Sequence, residues 1–438
     1  MILRRNIHII LFFTYSFFNV MAQETMYSES IEQKSYQLYI DKKWDELICV
    51  GNNAIKNDMD YFYLRMRIGM AYYEKKDYAL AEGHFRKAIT FNSSDDLALE
   101  YLYYSLLLNG RQEEARLLSQ EFSAELAEKT GTNKSSSIQF IIIEGGTKKT
   151  DSSDYYNAFT KTKSNYFKPP VYFQIGINHS LKNRFSLFHA FSYYKQKNYI
   201  GNVSQLQYYL RATVPLKKNW MVIPALHIIQ SNFSSETITS ITDTLWPPGF
   251  PAHSLPPPGA PPLKTITHTV STTTDSKSNY QVGSLSFQKN YRHYVFSLGT
   301  SLYNMGDVMQ YIHSGFVSYS VFGNSKLIVG ATGYLHQLQH ESSIHTAMAP
   351  FVYLQPYNQL SLKLSYFHNS TNNLVEDNGY LVNNSIDLTT SRYSALVNFT
   401  INKHISLYGL YQLEHKTESY QSFHYKYHMI LGGLKITP

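Results

Sequence analysis

The feature that most constrains this chain is an alternation of apolar and polar residues that begins near residue 135 and continues almost to the last residue. Residues 205–216 show it well, because Leu206, Tyr208, Leu210, Ala212 and Val214 alternate with Gln, Tyr, Arg and Thr. The pattern recurs in residues 171–178, 360–366, 392–401, 405–414 and 423–431. A period of two is typical of strands whose two faces meet different surroundings. The sequence therefore predicts a large antiparallel sheet with one apolar face.

The connections between these strands alternate between short and long. Short connections lie at 181–184, 215–219, 288–293, 322–326, 355–359 and 402–404. Longer ones lie at 149–169, 195–203, 236–279, 340–345, 369–386 and 415–422, with only residues 304–307 tight on that side. Short turns on one side and long loops on the other are typical of outer-membrane barrels. We therefore predict an antiparallel transmembrane β-barrel of about 14 strands within residues 133–438.

The preceding segment, residues 23–132, has apolar residues at helical spacing and repeats itself at an offset of 34 residues. Trp44 aligns with Tyr78 and Gln112, and the middle copy, which contains Gly69, Tyr78 and Phe85, resembles the tetratricopeptide repeat. The predicted fold is thus α + β, with a short helical array before the barrel. The resemblance implies an apolar groove that binds a periplasmic protein partner, or that folds against the rest of the chain. Its residues would be Tyr63, Met66, Met70, Tyr73, Tyr104 and Leu107.

Residues 1–22 have the features of a secretory signal peptide. Arg4 and Arg5 precede an apolar stretch, which ends in a small residue, Ala22. We therefore expect the helical segment in the periplasm and the barrel in the outer membrane, in contact with its lipid. Cys49 is the only cysteine, which excludes an intramolecular disulfide.

The two parts of the chain have opposite charge. Residues 23–132 contain 13 Lys and Arg against 19 Asp and Glu, a net charge of −6, whereas the remainder after the signal segment has a net charge of +11. The short turns carry lysines and arginines and no acidic residue. We therefore predict that the acidic helical segment docks on a basic rim of short turns. The alternative is that these lysines only keep the turns solvated.

Strand parity predicts which residues face the inside of the barrel. They are Arg211, Lys363, Arg392, Glu414, His424, Lys426 and His428. Such a lumen would favour anions, because fixed cations in a narrow passage lower the barrier for negative charge. The alternative is an interior sealed by charge pairs, such as Glu414 with Lys426.

Two further segments have possible functions. His368 and Ser370 lie on one outward strand face, and Asn383, Asn384 or Glu376 could complete a triad. This arrangement resembles outer-membrane phospholipases and lipid A deacylases, which would imply an acyl hydrolase. Eight prolines between residues 247 and 262 predict an extended segment that constricts the lumen, acts as a recognition arm or is a disordered surface loop.

A helical repeat array joined to an outer-membrane barrel resembles the YaiO-type proteins and the exopolysaccharide export porins. The resemblance implies a non-enzymatic pore or export conduit for an anionic or polysaccharide cargo. The residues themselves lead us to expect no cofactor, no metal and no nucleic-acid partner. Two alternatives remain open at this point: a sealed barrel that anchors the helices or acts as an adhesin, and the acyl hydrolase.

Overall fold

The structure, a computed structural model, describes a helical segment followed by strands. The described residues are 30–134, 137–150, 154–157, 162–165, 168–181, 184–197, 201–245, 264–305, 308–369, 373–382, 387–417 and 424–438. The helices are α1 (30–40), α2 (Trp44–Lys56), α3 (Phe62–Glu74), α4 (Tyr78–Phe91), α5 (Asp96–Leu108), α6 (Gln112–Leu118) and α7 (Ala124–Thr130). Among them, no helix is both long enough and apolar enough to span a bilayer.

The spacing of the helices follows the sequence repeat. Helices α2, α4 and α6 begin at Trp44, Tyr78 and Gln112, which are 34 residues apart, as the repeat predicts. Leu47, Ala81 and Ala115, which the repeat aligns, are all fully buried. Small residues at helix contacts let the backbones approach, and Phe85 and Leu102 fill the space beside them. The helical part of the prediction is confirmed, whereas its membership of the tetratricopeptide family remains a prediction.

Eighteen strands follow within the described residues, and fourteen of them form a closed antiparallel barrel. They are β1 (Ile138–Thr150), β2 (Asp154–Asn157), β3 (Thr162–Asn165), β4 (Val171–Leu181), β5 (Phe185–Lys197), β6 (Asn202–Leu216), β7 (Trp220–Leu245), β8 (Lys264–Tyr291), β9 (Tyr294–Met305), β10 (Val308–Ser320), β11 (Leu327–Leu338), β12 (Ile344–Tyr357), β13 (Leu360–Asn369), β14 (Val375–Glu376), β15 (Leu381–Val382), β16 (Leu388–Thr400), β17 (Ile405–Thr417) and β18 (His424–Ile436). Strands β2–β3 and β14–β15 form two separate hairpins, and β1 closes the barrel by pairing with both β4 and β18. The predicted strand number and barrel closure are confirmed.

The outward face of the barrel is apolar. Along β6, Leu206 is 56% exposed, while Tyr209 on the opposite face is 2% exposed. Leu298 on β9 and Ile430 on β18 also point outward and are exposed. A closed barrel has no free strand edge, and an apolar exterior matches a lipid environment. This architecture places the protein in the outer membrane.

The two ends of the barrel differ in their connections. At one end, here called the short-turn end, tight turns join β4 to β5, β6 to β7, β8 to β9, β10 to β11, β12 to β13 and β16 to β17. At the other end, the outer end, most connections are longer. Only two residues join β9 to β10 there, whereas the connection from β13 to β16 includes residues 373–382. The helical segment lies against the short-turn end. The backbone N–H of Ala79 donates to the carbonyl of Gly323 in the β10–β11 turn at 3.0 Å.

Candidate functional site

The connection between β13 and β16 contains a segment that folds into the barrel. This segment, residues 373–382, is called the inward loop, and it comprises β14, a 3-10 helix at Asp377–Gly379 and β15. Leu374, Val375 and Glu376 are all buried. A connection at a barrel end would ordinarily be exposed to water. Burial of three successive residues therefore means that the barrel wall surrounds this loop.

One side of the inward loop is apolar and packs against half of the wall. Leu374 and Val375 belong to a buried cluster with residues of six consecutive strands. The wall residues are Val282, Tyr303, Ile312, Tyr334, Ala347 and Phe367, from β8 to β13. Burying two aliphatic side chains stabilises the inward position by about 3–5 kcal/mol relative to an exposed loop.

The other side of the inward loop makes hydrogen bonds to strands β4, β6, β7 and β8. His227 Nδ1 on β7 donates to the carbonyl of Gly379 at 2.8 Å, and the Tyr209 hydroxyl on β6 donates to the carbonyl of Asn378 at 3.2 Å. The Ser286 hydroxyl on β8 donates to Asn378 Oδ1 at 2.5 Å. The Gln174 amide on β4 donates to the Tyr380 hydroxyl. The inward loop thus contacts both sides of the barrel and crosses the lumen.

An ion pair also joins the inward loop to the wall. The Arg392 guanidinium on β16 donates to both carboxylate oxygens of Glu376, at 2.7 and 3.1 Å. Both side chains are largely buried, and Arg392 also lies over the Phe367 ring, 4.6 Å from its centroid. A bidentate pair fixes orientation as well as distance. The pair therefore restrains the inward loop against β16, the barrel strand that follows the loop in the sequence.

The turn residues of the inward loop explain its tight path. Asp377 and Asn378 adopt left-handed backbone conformations, with φ of 49° and 57°, and Gly379 has φ of 85°. A Cβ on Gly379 would lie 2.7 Å from the Ser284 hydroxyl oxygen. Only glycine combines that φ with such a close approach to the wall. The Asp-Asn-Gly sequence is therefore suited to carry the loop through the lumen.

Between the inward loop and the short-turn end, the lumen wall carries three cationic side chains. Arg211 lies two residues beyond Tyr209 towards this end, Lys363 lies on β13, and Lys435 lies near the end of β18. Each lies over a phenylalanine ring: Arg211 over Phe188 at 5.5 Å, Lys363 over Phe351 at 4.8 Å and Lys435 over Phe140 at 4.4 Å. This part of the lumen is here called the vestibule.

The vestibule contains no carboxylate to balance these cations on its described wall. The inward positions of the strands between the inward loop and the short turns carry no Asp or Glu in the part of the chain that the structure describes. Glu144 lies at the level of the inward loop, where it accepts hydrogen bonds from the hydroxyls of Tyr172 and Tyr408. Fixed positive charge in a narrow passage concentrates anions. The vestibule is therefore electrostatically suited to a negatively charged solute.

The helical segment contacts the turns around the vestibule. Asp77, which caps α4 by accepting from the Leu80 N–H, is also 3.0 Å from His293 Nε2 in the β8–β9 turn. Gly323 in the next turn has φ of 66°, and a Cβ there would collide with the Asp77 carboxylate. The close approach therefore requires glycine.

Two buried glutamates extend this contact. Glu82 accepts from the Asn219 amide at 3.0 Å, and Glu114 accepts from the Asn290 amide at 2.9 Å. Arg111 lies between the two glutamates and donates to both. Although burial disfavours its charge, the carboxylates of Glu82 and Glu114 raise the pKa of Arg111 above its ordinary value. The docking predicted from charge is present, but asparagine and histidine supply these contacts on the barrel.

The structure divides the predicted lumen residues into two groups. Arg211, Lys363, Arg392 and Glu414 lie on the inward face. His424, Lys426 and His428 lie on the outward face of β18 instead, because the inward positions are occupied by Tyr425 and Tyr427, which are 5% and 6% exposed. Because tyrosine occurs on both faces of a barrel, the sequence of β18 does not decide which of its residues face the lumen and which face the lipid. Glu414 pairs with Lys148 at 3.4 Å rather than with Lys426.

Four of the six predicted groove residues lie in or against one apolar cluster of the helical segment, namely Met66, Met70, Tyr73 and Leu107. Tyr63 is 62% exposed, whereas Met66 and Met70 belong to the helical core. Tyr73 is partly buried and packs edge-on against Tyr78 and Tyr101. Tyr104 and Leu107 are partly buried on α5. The two methionines thus fill space between helices, and their proposed contact with a partner is not available in this arrangement.

The predicted catalytic set is only partly within the described residues. His368 lies on the outward face of β13 and is exposed, but Ser370 and Asn383 lie outside the described residues. Glu376, the alternative third member, points inward to Arg392 and cannot orient an outward histidine. The proline-rich residues 247–262 also lie outside the described residues.

Some residues of this site were not found from the sequence. They are Tyr380, Gly379, His227 and Lys435. The inward loop gave one usable signal, since the apolar residues Leu374, Val375 and Tyr380 flank an Asp-Asn-Gly turn within a long connection. Long structured loops of this kind are often functional.

Comparisons with known proteins show similarity to several barrels of solved structure. The toluene transporter TodX of Pseudomonas putida is 8% identical, with 72% of this chain and 93% of that chain covered and a TM-score of 0.41. A FadL homologue of Pseudomonas aeruginosa is 9% identical, with coverages of 68% and 90% and a TM-score of 0.39. The outer membrane protein Omp33 of Acinetobacter baumannii is 8% identical, with coverages of 69% and 100% and a TM-score of 0.32. At these scores, the similarity carries no argument about substrate.

No family model matches the chain, and no curated protein matches its sequence. The resemblance to tetratricopeptide proteins, YaiO-type proteins and export porins therefore remains an expectation from the sequence. The site must be interpreted from its own residues.

Proposed function

We propose that this protein is a gated outer-membrane channel for small anionic solutes, closed in this conformation by the inward loop. The observation that carries the proposal is the crossing of the lumen by residues 373–382. The loop is held by a limited set of contacts: one apolar cluster, one ion pair and a few hydrogen bonds. A loop held in this way can leave the lumen without unfolding the barrel, because none of its residues belongs to the barrel ladder.

The choice of anions rests on the vestibule. Arg211, Lys363 and Lys435 are the cations that a solute would meet between the loop and the short turns, and their charged groups lie over aromatic rings. By the orientation rule for outer-membrane barrels, the short-turn end and the helices face the periplasm. A solute would therefore pass between the outer end and a cationic chamber next to the helices.

Reversible cross-linking of the loop tests the channel. The variant Ser286→Cys/Asn378→Cys/Cys49→Ser removes the exposed native cysteine and places thiols at two side chains that are in contact. After treatment with a short bis-methanethiosulfonate reagent, we expect no current in a planar bilayer. After reduction, we expect single-channel current steps of the same size as those of the Cys49→Ser parent.

The same measurement separates the channel from a sealed anchor. Each single-cysteine variant, treated with the same reagent, controls for modification without a bridge. If the reduced variant and its parent both stay silent while heat-modifiable migration shows folded barrels, the lumen does not open and the channel proposal is lost. The protein would then be a closed barrel that anchors the helices.

A further inference from the structure

Tyr380 of the inward loop fills an aromatic recess in the lumen wall. Its ring lies 5.0 Å from the Tyr209 ring and 6.1 Å from the Phe188 ring, measured between centroids, and both contacts are edge-to-face. Ala190 on β5 and Ala225 on β7 belong to the same cluster, and their small side chains leave room for a ring. These four wall residues are here called the tyrosine recess, and a single residue of the loop occupies it.

The polar end of the Tyr380 side chain also has a matched partner on the wall. The side-chain amide of Gln174 on β4 donates to the Tyr380 hydroxyl. A buried phenol needs such a partner, because its ring is apolar and its hydroxyl is not. The tyrosine recess and Gln174 together therefore accommodate a 4-hydroxyphenyl group.

A cation borders the tyrosine recess on the side of the vestibule. The Arg211 guanidinium lies 5.5 Å from the centroid of the Phe188 ring, so Arg211 and Tyr380 lie against the same ring. Arg211 Nε is shielded from solvent, and among the described residues it has no acceptor within hydrogen-bond distance. A buried donor without an acceptor costs free energy, which a carboxylate at this point would recover. The wall therefore offers an aromatic recess next to a cationic donor.

We propose that the solutes of this channel are 4-hydroxyphenyl carboxylates, which bind by displacing Tyr380 from the tyrosine recess. The solute ring takes the place of the Tyr380 ring, its hydroxyl accepts from Gln174, and its carboxylate accepts from Arg211. Because the solute and Tyr380 compete for one recess, binding favours the conformation in which the inward loop has left the lumen. The assignment of a transported solute rests on the proposed channel function, whereas binding at the recess can be measured without conduction.

Binding of 3-(4-hydroxyphenyl)propionate to the refolded full chain tests the competition. Isothermal titration calorimetry in detergent micelles, corrected for empty micelles, measures the dissociation constant. Tyr380→Ala should bind this probe about tenfold more tightly than wild type, because no loop residue then occupies the recess. Tyr380→Phe keeps the ring but loses the hydrogen bond from Gln174, so its affinity should fall between those of Tyr380→Ala and wild type.

Two further variants test the polar contacts of the probe. Arg211→Gln should bind it about tenfold more weakly, since the carboxylate loses its charged donor. Lys289→Gln is the matched control and should stay within about twofold of wild type, because Lys289 lies over the Trp220 ring at 5.2 Å on the outward face of β8. Wild type should prefer the probe to 3-phenylpropionate, whereas Gln174→Leu should bind both equally.

The outcomes separate this proposal from the channel itself. Equal affinity of Tyr380→Ala and wild type, or of Arg211→Gln and Lys289→Gln, would overturn displacement of Tyr380, provided that heat-modifiable migration shows folded variants. Current in the cross-linking experiment without these differences in affinity would leave the channel and remove the aromatic solute. The differences in affinity without any current would leave the recess as a binding site and remove the channel.

Discussion

The two halves of the lumen use charge in different ways. In the outer half, the buried carboxylates of Glu376 and Glu414 face the cations Arg392 and Lys148. In the vestibule, Arg211, Lys363 and Lys435 lie over aromatic rings without a carboxylate among the described residues. Paired buried charges fix structure, whereas unpaired charges next to water remain available for a solute. In the proposed channel, closure therefore belongs to the outer half and selectivity to the vestibule.

Removal of the inward loop should have the largest effect. Replacement of residues 374–382 by a Gly-Ser linker of equal length removes the apolar cluster, the ion pair and the hydrogen bonds together. We expect single-channel conductance to rise about tenfold, because the solute path would then be limited by the barrel wall. Planar-bilayer recordings would measure this change.

The control for that replacement is deletion of residues 246–262, the proline-rich segment. Current should stay at the wild-type level, since the described contacts across the lumen come from a different connection. The assignment of closure to the inward loop would be contradicted if the proline-rich deletion, and not the loop replacement, increased conductance.

Loss of one partner of the Glu376–Arg392 pair should have the next largest effect. Glu376→Gln leaves a buried guanidinium without its carboxylate, which costs about 3–5 kcal/mol in the closed state. Departure of the loop would relieve part of this cost, so the open fraction should rise by tenfold or more. Single-channel open probability would report the change.

The double variant Glu376→Met/Arg392→Met sharpens this test. Replacing a buried ion pair by apolar side chains of similar size is often neutral, so this variant should be more closed than Glu376→Gln. Glu341→Gln is the matched control, because Glu341 is half exposed, lies 3.5 Å from His345 and is not among the described residues that contact the inward loop. Equal open probability in all three variants would show that the pair does not hold the loop.

The barrel was predictable because its physical determinants are local. Alternation fixes which face of β6 meets lipid, and Leu206 and Tyr209 lie on the faces that the pattern predicts. The order of short and long connections then fixes the strand number. Strand β18 was harder, since its Tyr, His and Lys residues suit water and headgroups alike. The contacts of Tyr425 with Asp387 and of Tyr427 with Gln196 decide its parity, and these come from distant parts of the chain.

The inward loop was not predictable for a related reason. Its apolar residues indicate burial, but the direction in which it folds depends on residues far away in sequence, such as Gln174 and His227. Lys435 was missed because it lies close to the last residue, in a segment without clear alternation. Local sequence patterns therefore predict the strands of the barrel wall. The position of the inward loop inside the lumen depends instead on contacts between residues that are far apart in the sequence.

Neutralisation of the vestibule should change selectivity without opening the channel. Arg211→Gln/Lys363→Gln/Lys435→Gln removes three cations from the solute path, so the anion-to-cation permeability ratio should fall about fivefold. Reversal potentials in a KCl gradient measure this ratio. Lys149→Gln, which removes an outward cation, should leave it unchanged. If substitution of Arg392 lowered the anion-to-cation permeability ratio and the triple variant did not, selectivity would belong to the outer half instead of the vestibule.

The smallest expected effect concerns the helices that contact the vestibule turns. His84 on α4 has Nδ1 3.3 Å from the Arg65 guanidinium, and burial together with Arg65 lowers the pKa of His84 to about 4. The unfolded chain, with an ordinary histidine pKa of about 6.5, therefore binds more protons than the folded chain between these values. Stability is complete above the unfolded pKa and decreases as the pH falls towards 4.

At pH 5, allowing for the partial exposure of the ring, the loss should be about 1 kcal/mol. Thermal unfolding of the full chain, followed by helical circular dichroism at pH 7 and pH 5, would measure it, and His84→Gln should reduce the difference between the two. Because Asp77, which caps α4, and Glu82 within α4 contact the β8–β9 and β6–β7 turns, loosening of α4 should also weaken the support of the vestibule. If low pH reduces stability but leaves anion selectivity unchanged, the barrel wall alone sets the electrostatic potential of the vestibule. If anion selectivity falls together with stability, the helices contribute to that potential.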